Sequence, residues 1–178
     1  MRDTMCEELK NKIKKLKDSK SEEDRKICIP LLQEYLAANP IDATSWYDLA
    51  CCYDFCGFEK EAEPCYRKTY EIGWKQLPET EQSSFFVGFG STLRNNLNFV
   101  DSEKILRDAI VHFPKYPALK VFLAFTLYSI GQFKEASQIL FQSTLEMPPK
   151  SFDGYEKTIQ WYVENLETHA INTESNTL

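Results

Sequence analysis

Three stretches of the chain follow one pattern of large and small residues, and this internal repeat limits the fold more than any other feature. The stretches begin at Ala43, Ser83 and Pro117. Aligned without gaps, each has a large apolar residue at its seventh place and small residues at its eighth and twentieth places. Pro114 and Pro148 close the second and third stretches. Such a repeat predicts an array of similar supersecondary units whose stacking buries a continuous core.

The small residues indicate what each unit is. Small side chains let two helices approach closely, and the bulky residues around them fill the space against the next unit. We therefore predict that each stretch forms an antiparallel pair of helices, A followed by B. The residues at the two small places are Ala50, Gly90 and Ala124, and Ala62, Ser102 and Ala136.

The first stretch carries a recognisable signature. Residues 46 to 53 read WYDLACCY, and Ala62 and Tyr66 follow with three residues between them. This spacing resembles the tetratricopeptide repeat family, whose signature combines W-x2-L-G-x2-Y with A-x3-F. The resemblance runs from Pro40 to Leu166, and the chain is similar in length to a compact bacterial branch of that family. It implies an all-α, right-handed α-α superhelix of about nine antiparallel helices, a protein-binding role and no defined reaction.

Four positions are unusual within the repeat register. Leu97 and Ser102 stand where the family usually has Gly and Ala, so they affect how tightly helices A and B of the second repeat are joined. Pro30 and Pro64 fall at the same place of two successive B helices. We predict that both lie in the first turn, where a missing backbone N–H is tolerated.

The register also divides the chain into segments. Residues 75 to 81 are polar, contain Pro78 and are predicted to form a lengthened loop. Ser151 can cap the last helix. The predicted segments are a divergent helix pair over 1–40, three repeats within 41–150 (at 43–74, 83–116 and 117–150), a C-terminal capping helix over 151–166 and a disordered tail over 167–178.

Composition narrows the environment and the partners. The net charge of −6 disfavours a general nucleic-acid role, because phosphate binding requires an excess of basic residues. No apolar run reaches the ~20 residues that a membrane span needs, and the N-terminus lacks the apolar core of a signal peptide. We therefore expect a cytoplasmic protein with reduced cysteines.

Four of the six cysteines lie between residues 46 and 66, but no CxxC pair is present. Packing is the simpler interpretation, since cysteine behaves as a small buried hydrophobe. A metal- or redox-responsive regulator that uses Cys51, Cys56 and Cys65 is the alternative. His112 and His169 are the two histidines of the sequence and have no paired nucleophile. We expect no catalytic residue, no metal site and no cofactor.

The resemblance implies a binding surface, because stacked A helices line a concave groove in this architecture. The groove is predicted to be aromatic and apolar, with a polar island in which Arg94 holds a carboxylate or a backbone carbonyl of a peptide. The residues predicted to line it are Tyr47, Cys51, Asp54, Val87, Ser91, Arg94, Asn95, Val121, Phe125, Tyr128, Tyr155, Ile159 and Tyr162.

Several alternatives remain open at the level of sequence. Arg94 can instead pair with Asp54, and the aromatic residues can simply pack against the terminal helix. Tyr47 and Cys51 replace the Lys and Asn of the domains that clamp chaperone C-termini, so that specialisation is not expected. The predicted function is a non-enzymatic interaction module that binds a protein or peptide. A small cytoplasmic chaperone for a secreted protein is an alternative, and a homodimer is compatible with open array ends.

Overall fold

The computed structural model describes residues 2–17, 19, 21–146 and 154–164. These residues form nine α-helices and one 3-10 helix, and no strand occurs among them. The predicted all-α class is therefore confirmed. The helices are α1 (Arg2–Lys17), α2 (Glu22–Ala38), α3 (Ala43–Phe55), α4 (Glu59–Gly73), α5 (Glu79–Asn95), α6 (Phe99–His112), α7 (Pro117–Ser129), α8 (Phe133–Glu146) and α9 (Glu156–Glu164), with the 3-10 helix at Trp74–Gln76.

The chain divides into two compact units, and the boundary between Gly88 and Phe89 falls inside α5. In the first unit α1 packs on α2, α2 on α3, and α3 on α4. Small side chains lie at the centre of these contacts, because Ala50 and Ala62 are fully buried. The unit therefore consists of successive helix hairpins around one core.

In the second unit α6 packs on α7, and α7 packs on α8. Helix α7 is apolar around nearly its whole circumference, which is typical of a helix buried on all sides. Helix α5 comes close to α6 at Gly90. A Cβ atom on Gly90 would lie 2.6 Å from Cγ of Leu106 on α6, so only glycine fits at this position. The buried residues of α7 are Ala118, Leu119, Val121, Phe122, Leu123, Ala124, Phe125, Thr126, Leu127 and Ser129.

Helices α3, α5 and α7 end in the same kind of turn. The second residue after the helix has a positive φ, which is 72° at Gly57, 65° at Leu97 and 79° at Gly131. In each turn the next amide donates a hydrogen bond of 2.8–2.9 Å to the carbonyl five residues earlier, the pattern of a Schellman motif. Leu97 thus holds a backbone conformation that costs a non-glycine residue about 1–2 kcal/mol.

Two local predictions are wrong. Pro30 is the ninth residue of α2 and Pro64 the sixth of α4, so neither lies in a first turn. Both helices begin earlier than predicted, α2 because the Ser21 hydroxyl accepts a hydrogen bond from the Asp24 amide. The predicted loop is also shorter than 75–81, because the 3-10 helix occupies its start and α5 begins at Glu79.

The end of the chain is described only in part. Helix α9 lies within the predicted capping segment, whereas Ser151 and the tail over 167–178 lie outside the described residues. Among the helices in the described ranges, none is both long and apolar enough to span a membrane.

Candidate functional site

The predicted groove residues of the first unit lie on α3 and α5, and two of them belong to the core. Tyr47 is 8% exposed and meets the Phe85 ring edge-on at 5.6 Å between centroids, and Val87 is fully buried. Asp54 is half-buried and accepts a hydrogen bond of 3.0 Å from the Tyr66 hydroxyl. Asp54 and the half-buried Cys51 are therefore the members of this group with surface to offer.

The predicted groove residues of the second unit lie on α5, α7 and α9, and Tyr162 of α9 brings several of them together. The Tyr162 side chain is 3% exposed. Its hydroxyl donates to Oδ1 of Asn95 at 3.2 Å and lies 2.5 Å from Oγ of Ser91. Its ring contacts Phe125 at 5.1 Å and Phe122 at 5.6 Å between centroids. Helix α9 is thus held by an aromatic anchor with a satisfied polar tip.

Arg94 lies beneath this anchor and has no exposed surface. Its Nε donates to the Phe125 carbonyl at 3.2 Å and to Oγ of Ser129 at 3.0 Å. The guanidinium carbon lies 4.8 Å from the centroid of the Tyr162 ring and 5.9 Å from that of Phe125. Both terminal nitrogens, Nη1 and Nη2, are buried without a hydrogen-bond partner among the described residues.

The charge state of Arg94 follows from these surroundings. Burial lowers the pKa of the guanidinium, and the neighbouring Tyr162 side chain opposes part of that shift. Arginine starts from so high a pKa that it stays charged at neutral pH. The second unit therefore contains a buried cation whose outer donors are unused.

We call Ser91, Arg94, Asn95, Phe122 and Phe125 the α9-binding face. Four of these five residues were predicted from the repeat register. Phe122 was not, because it lies between two groove places and looks like any other core residue of the apolar helix α7. Only the structure shows its role, because its ring contacts Tyr162 and also Tyr155, at 5.8 Å between centroids for Tyr155.

The remaining predicted groove residues of the second unit stand apart from this face. Val121 is 3% exposed and belongs to the core. Tyr128 is half-buried and packs edge-on against Phe133 at 4.8 Å, and Ile159 is half-buried on α9. Packing against the terminal helix thus accounts for Phe125 and Tyr162, whereas Tyr128 turns towards α8.

The five cysteines whose side chains the structure describes are free thiols, namely Cys28, Cys51, Cys52, Cys56 and Cys65. Burial raises the pKa of Cys65 to about 12, and burial with the nearby Asp48 raises that of Cys51. Contact with the Cys28 thiol and with Arg25 lowers the pKa of Cys52, although burial opposes the shift. Within the described ranges, His, Cys, Asp and Glu form no group of three that could hold a metal ion.

A comparison with protein families identifies the repeat. The model described as tetratrico peptide repeat matches residues 43–166. The chain belongs to the tetratricopeptide repeat family. A comparison with curated proteins finds no match. Tetratricopeptide repeats generally mediate protein–protein interaction, and the α9-binding face lies on two A helices of this repeat array, α5 and α7.

Proposed function

We propose that this tetratricopeptide repeat protein is a non-enzymatic interaction module that binds a helix or peptide of a partner protein on the A-helix face of its second unit. One observation carries the proposal: the α9-binding face already holds a helix, α9, through the buried Tyr162. A surface that accommodates one helix has the shape and the chemistry to accommodate another.

The contacts of Tyr162 indicate how such a helix is recognised. Phe122 and Phe125 supply apolar area, which favours a large aromatic or aliphatic anchor. Ser91 and Asn95 accept or donate hydrogen bonds at the rim of that pocket, which selects an anchor with a polar tip. Apolar area provides affinity, and the polar pair fixes orientation.

The other predicted groove residues extend this proposal within each unit. Tyr128 and Ile159 are half-buried in the second unit, and Cys51 and Asp54 are half-buried in the first. Each has surface that a bound segment can cover. We also propose that the protein acts in the cytoplasm, which the free thiols at five described cysteines support.

A peptide added in trans tests the proposal. The full chain carrying Tyr162→Ala has a weakened α9 anchor, and a synthetic peptide with the sequence of residues 155–164 then competes for the vacated face. We expect calorimetry to detect binding to this variant and much weaker binding to the unaltered chain, whose own α9 occupies the site.

Two controls make the result specific. Thr158→Ala alters an exposed residue of α9 and should leave the chain as resistant to the peptide as the unaltered protein. A peptide that itself carries Tyr162→Ala should not bind. If the Tyr162→Ala chain is folded by circular dichroism and binds no peptide, the proposed function is wrong.

A further inference from the structure

The guanidinium of Arg94 has more donors than its surroundings use. Arginine carries five N–H groups in a planar fork, and the Nε donor is satisfied by Phe125 and Ser129. The four N–H groups on Nη1 and Nη2 are buried and have no acceptor among the described residues. Buried polar groups are nearly always hydrogen-bonded, so this exception requires an explanation.

Helix α9 compensates the buried charge only in part. The Tyr162 ring lies 4.8 Å from the guanidinium carbon, and such a cation–π contact stabilises the charge. The Tyr162 side chain also acts to raise the pKa of Arg94, but it leaves Nη1 and Nη2 without a hydrogen bond. Ser129, which hydrogen-bonds to Arg94, and Ser91 and Asn95, which hydrogen-bond to Tyr162, are all uncharged. Among the described residues, no carboxylate hydrogen-bonds to Nη1 or Nη2 of Arg94.

We propose that Arg94 is the carboxylate receptor of the binding face, and that α9 is an exchangeable occupant that a partner helix with an acidic residue replaces. The inference rests on the proposed function and names its ligand class. When α9 leaves, the incoming Asp or Glu side chain accepts two parallel hydrogen bonds from Nη1 and Nη2. A carboxylate suits this fork better than a backbone carbonyl, because its two oxygens match two nitrogens at once.

The partner segment defined by this site is therefore an amphipathic helix with two features. It carries an aromatic residue that packs on Phe122, as Tyr155 does at 5.8 Å between ring centroids. It also carries an acidic residue at the position that Tyr162 occupies in α9. Neutral segments without the acid would compete poorly, because they leave the same donors unsatisfied that α9 leaves unsatisfied.

A matched peptide pair tests the carboxylate. Two peptides of residues 155–164 differ only in carrying Tyr162→Glu or Tyr162→Gln, so that shape is kept and charge is changed. Both are titrated at pH 7 into the full chain with Tyr162→Ala. We expect the Glu peptide to bind at least about tenfold more tightly than the Gln peptide, as charge-assisted hydrogen bonds predict.

A second substitution assigns the difference to Arg94. In the full chain with Tyr162→Ala and Arg94→Met, we expect the two peptides to bind equally, whereas Arg94→Lys should keep part of the preference. Arg94→Met is expected to fold, because it removes a buried charge and leaves the Phe125 carbonyl bonded to the Ser129 hydroxyl.

The outcomes separate this inference from the proposed function. Equal affinities of the Glu and Gln peptides for the Tyr162→Ala chain overturn the carboxylate inference, as does a preference that persists in Arg94→Met. In either case, binding of the peptide with unaltered sequence would leave the proposed function intact. If no peptide binds to the Tyr162→Ala chain, both the carboxylate inference and the proposed function are wrong.

Discussion

The hydroxyl of Ser102 on α6 donates a hydrogen bond of 2.8 Å to the backbone carbonyl of Gly90 on α5. The same oxygen lies 2.9 Å from Oγ1 of Thr126 on α7, and Ser102 is fully buried. One side chain thus connects three successive helices of the second unit. The family usually has Ala at this place, so this tie replaces a purely apolar contact.

Removing the tie should cost stability. We expect Ser102→Ala to lower the free energy of unfolding by about 1 kcal/mol, the typical loss for a neutral buried hydrogen bond. Denaturant titration followed by circular dichroism measures it. Ser143→Ala is the matched control, because the buried Ser143 donates its hydrogen bond to the Ile139 carbonyl of its own helix. An equal loss in both variants would show that the hydrogen bonds of Ser102 to other helices add no more stability than a hydrogen bond within one helix.

Leu97 offers a stabilising substitution. Its φ of 65° is unfavourable for any residue with a Cβ, and its side chain is 63% exposed, so little packing is lost on truncation. We expect Leu97→Gly to raise the free energy of unfolding by about 1 kcal/mol. The converse change is Gly57→Ala, where an added Cβ would meet nothing within 4 Å and only the backbone conformation opposes it.

The two turn variants should therefore shift the denaturation midpoint in opposite directions. Thermal or denaturant unfolding of the full chain measures both. If Leu97→Gly destabilises the protein, the leucine side chain contributes more through its contacts than the left-handed conformation costs.

The close approach of α5 and α6 predicts a clash at Gly90. A Cβ there would lie 2.6 Å from Cγ of Leu106, and overpacking of this kind typically costs about 1–3 kcal/mol. We expect Gly90→Ala to destabilise the chain by that amount. Adding Leu106→Ala should make the glycine substitution nearly neutral, which a double-mutant cycle detects. If the stability losses of the two substitutions are additive, the cost of Gly90→Ala does not come from its contact with Leu106.

Cysteine reactivity should follow burial. The pKa of Cys65 is raised from 9.0 to about 12, so at pH 8 its thiolate is about a thousandfold rarer than for an unperturbed thiol. We expect slow alkylation of Cys65 by iodoacetamide in the folded protein and fast alkylation in denaturant, measured by mass spectrometry. Fast native labelling would instead support the redox-responsive alternative.

The raised pKa of Cys65 also predicts how the stability of the protein depends on pH. Folding favours the neutral Cys65 thiol, so its contribution to stability is complete below pH 9 and is lost as the pH rises towards about 12. The free energy of unfolding should therefore fall across this alkaline range. Cys65→Ala should reduce the steepness of that fall, and an unchanged slope would contradict the assignment.

The repeat pattern predicted the helix hairpins because small residues such as Ala62 and Gly90 report helix–helix distance directly in the sequence. It misplaced Pro30 because a proline does not reveal where its helix begins, which here depends on the cap at Ser21. It named Arg94 as a groove residue but could not show its burial. A register position defines the face of a helix, whereas exposure depends on what covers that face, and here Tyr162 does.

The short connection between α8 and α9 has a thermodynamic consequence. Helix α8 ends at Glu146 and α9 begins at Glu156, so nine residues tether the resident helix to its binding face. A segment on the same chain as its binding face acts at an effective concentration that is set by the length and stiffness of the connection. Under the proposed function, a partner helix from solution competes against that concentration, and its apparent dissociation constant rises with it. We therefore expect the length of this connection to set the partner concentration at which α9 is displaced.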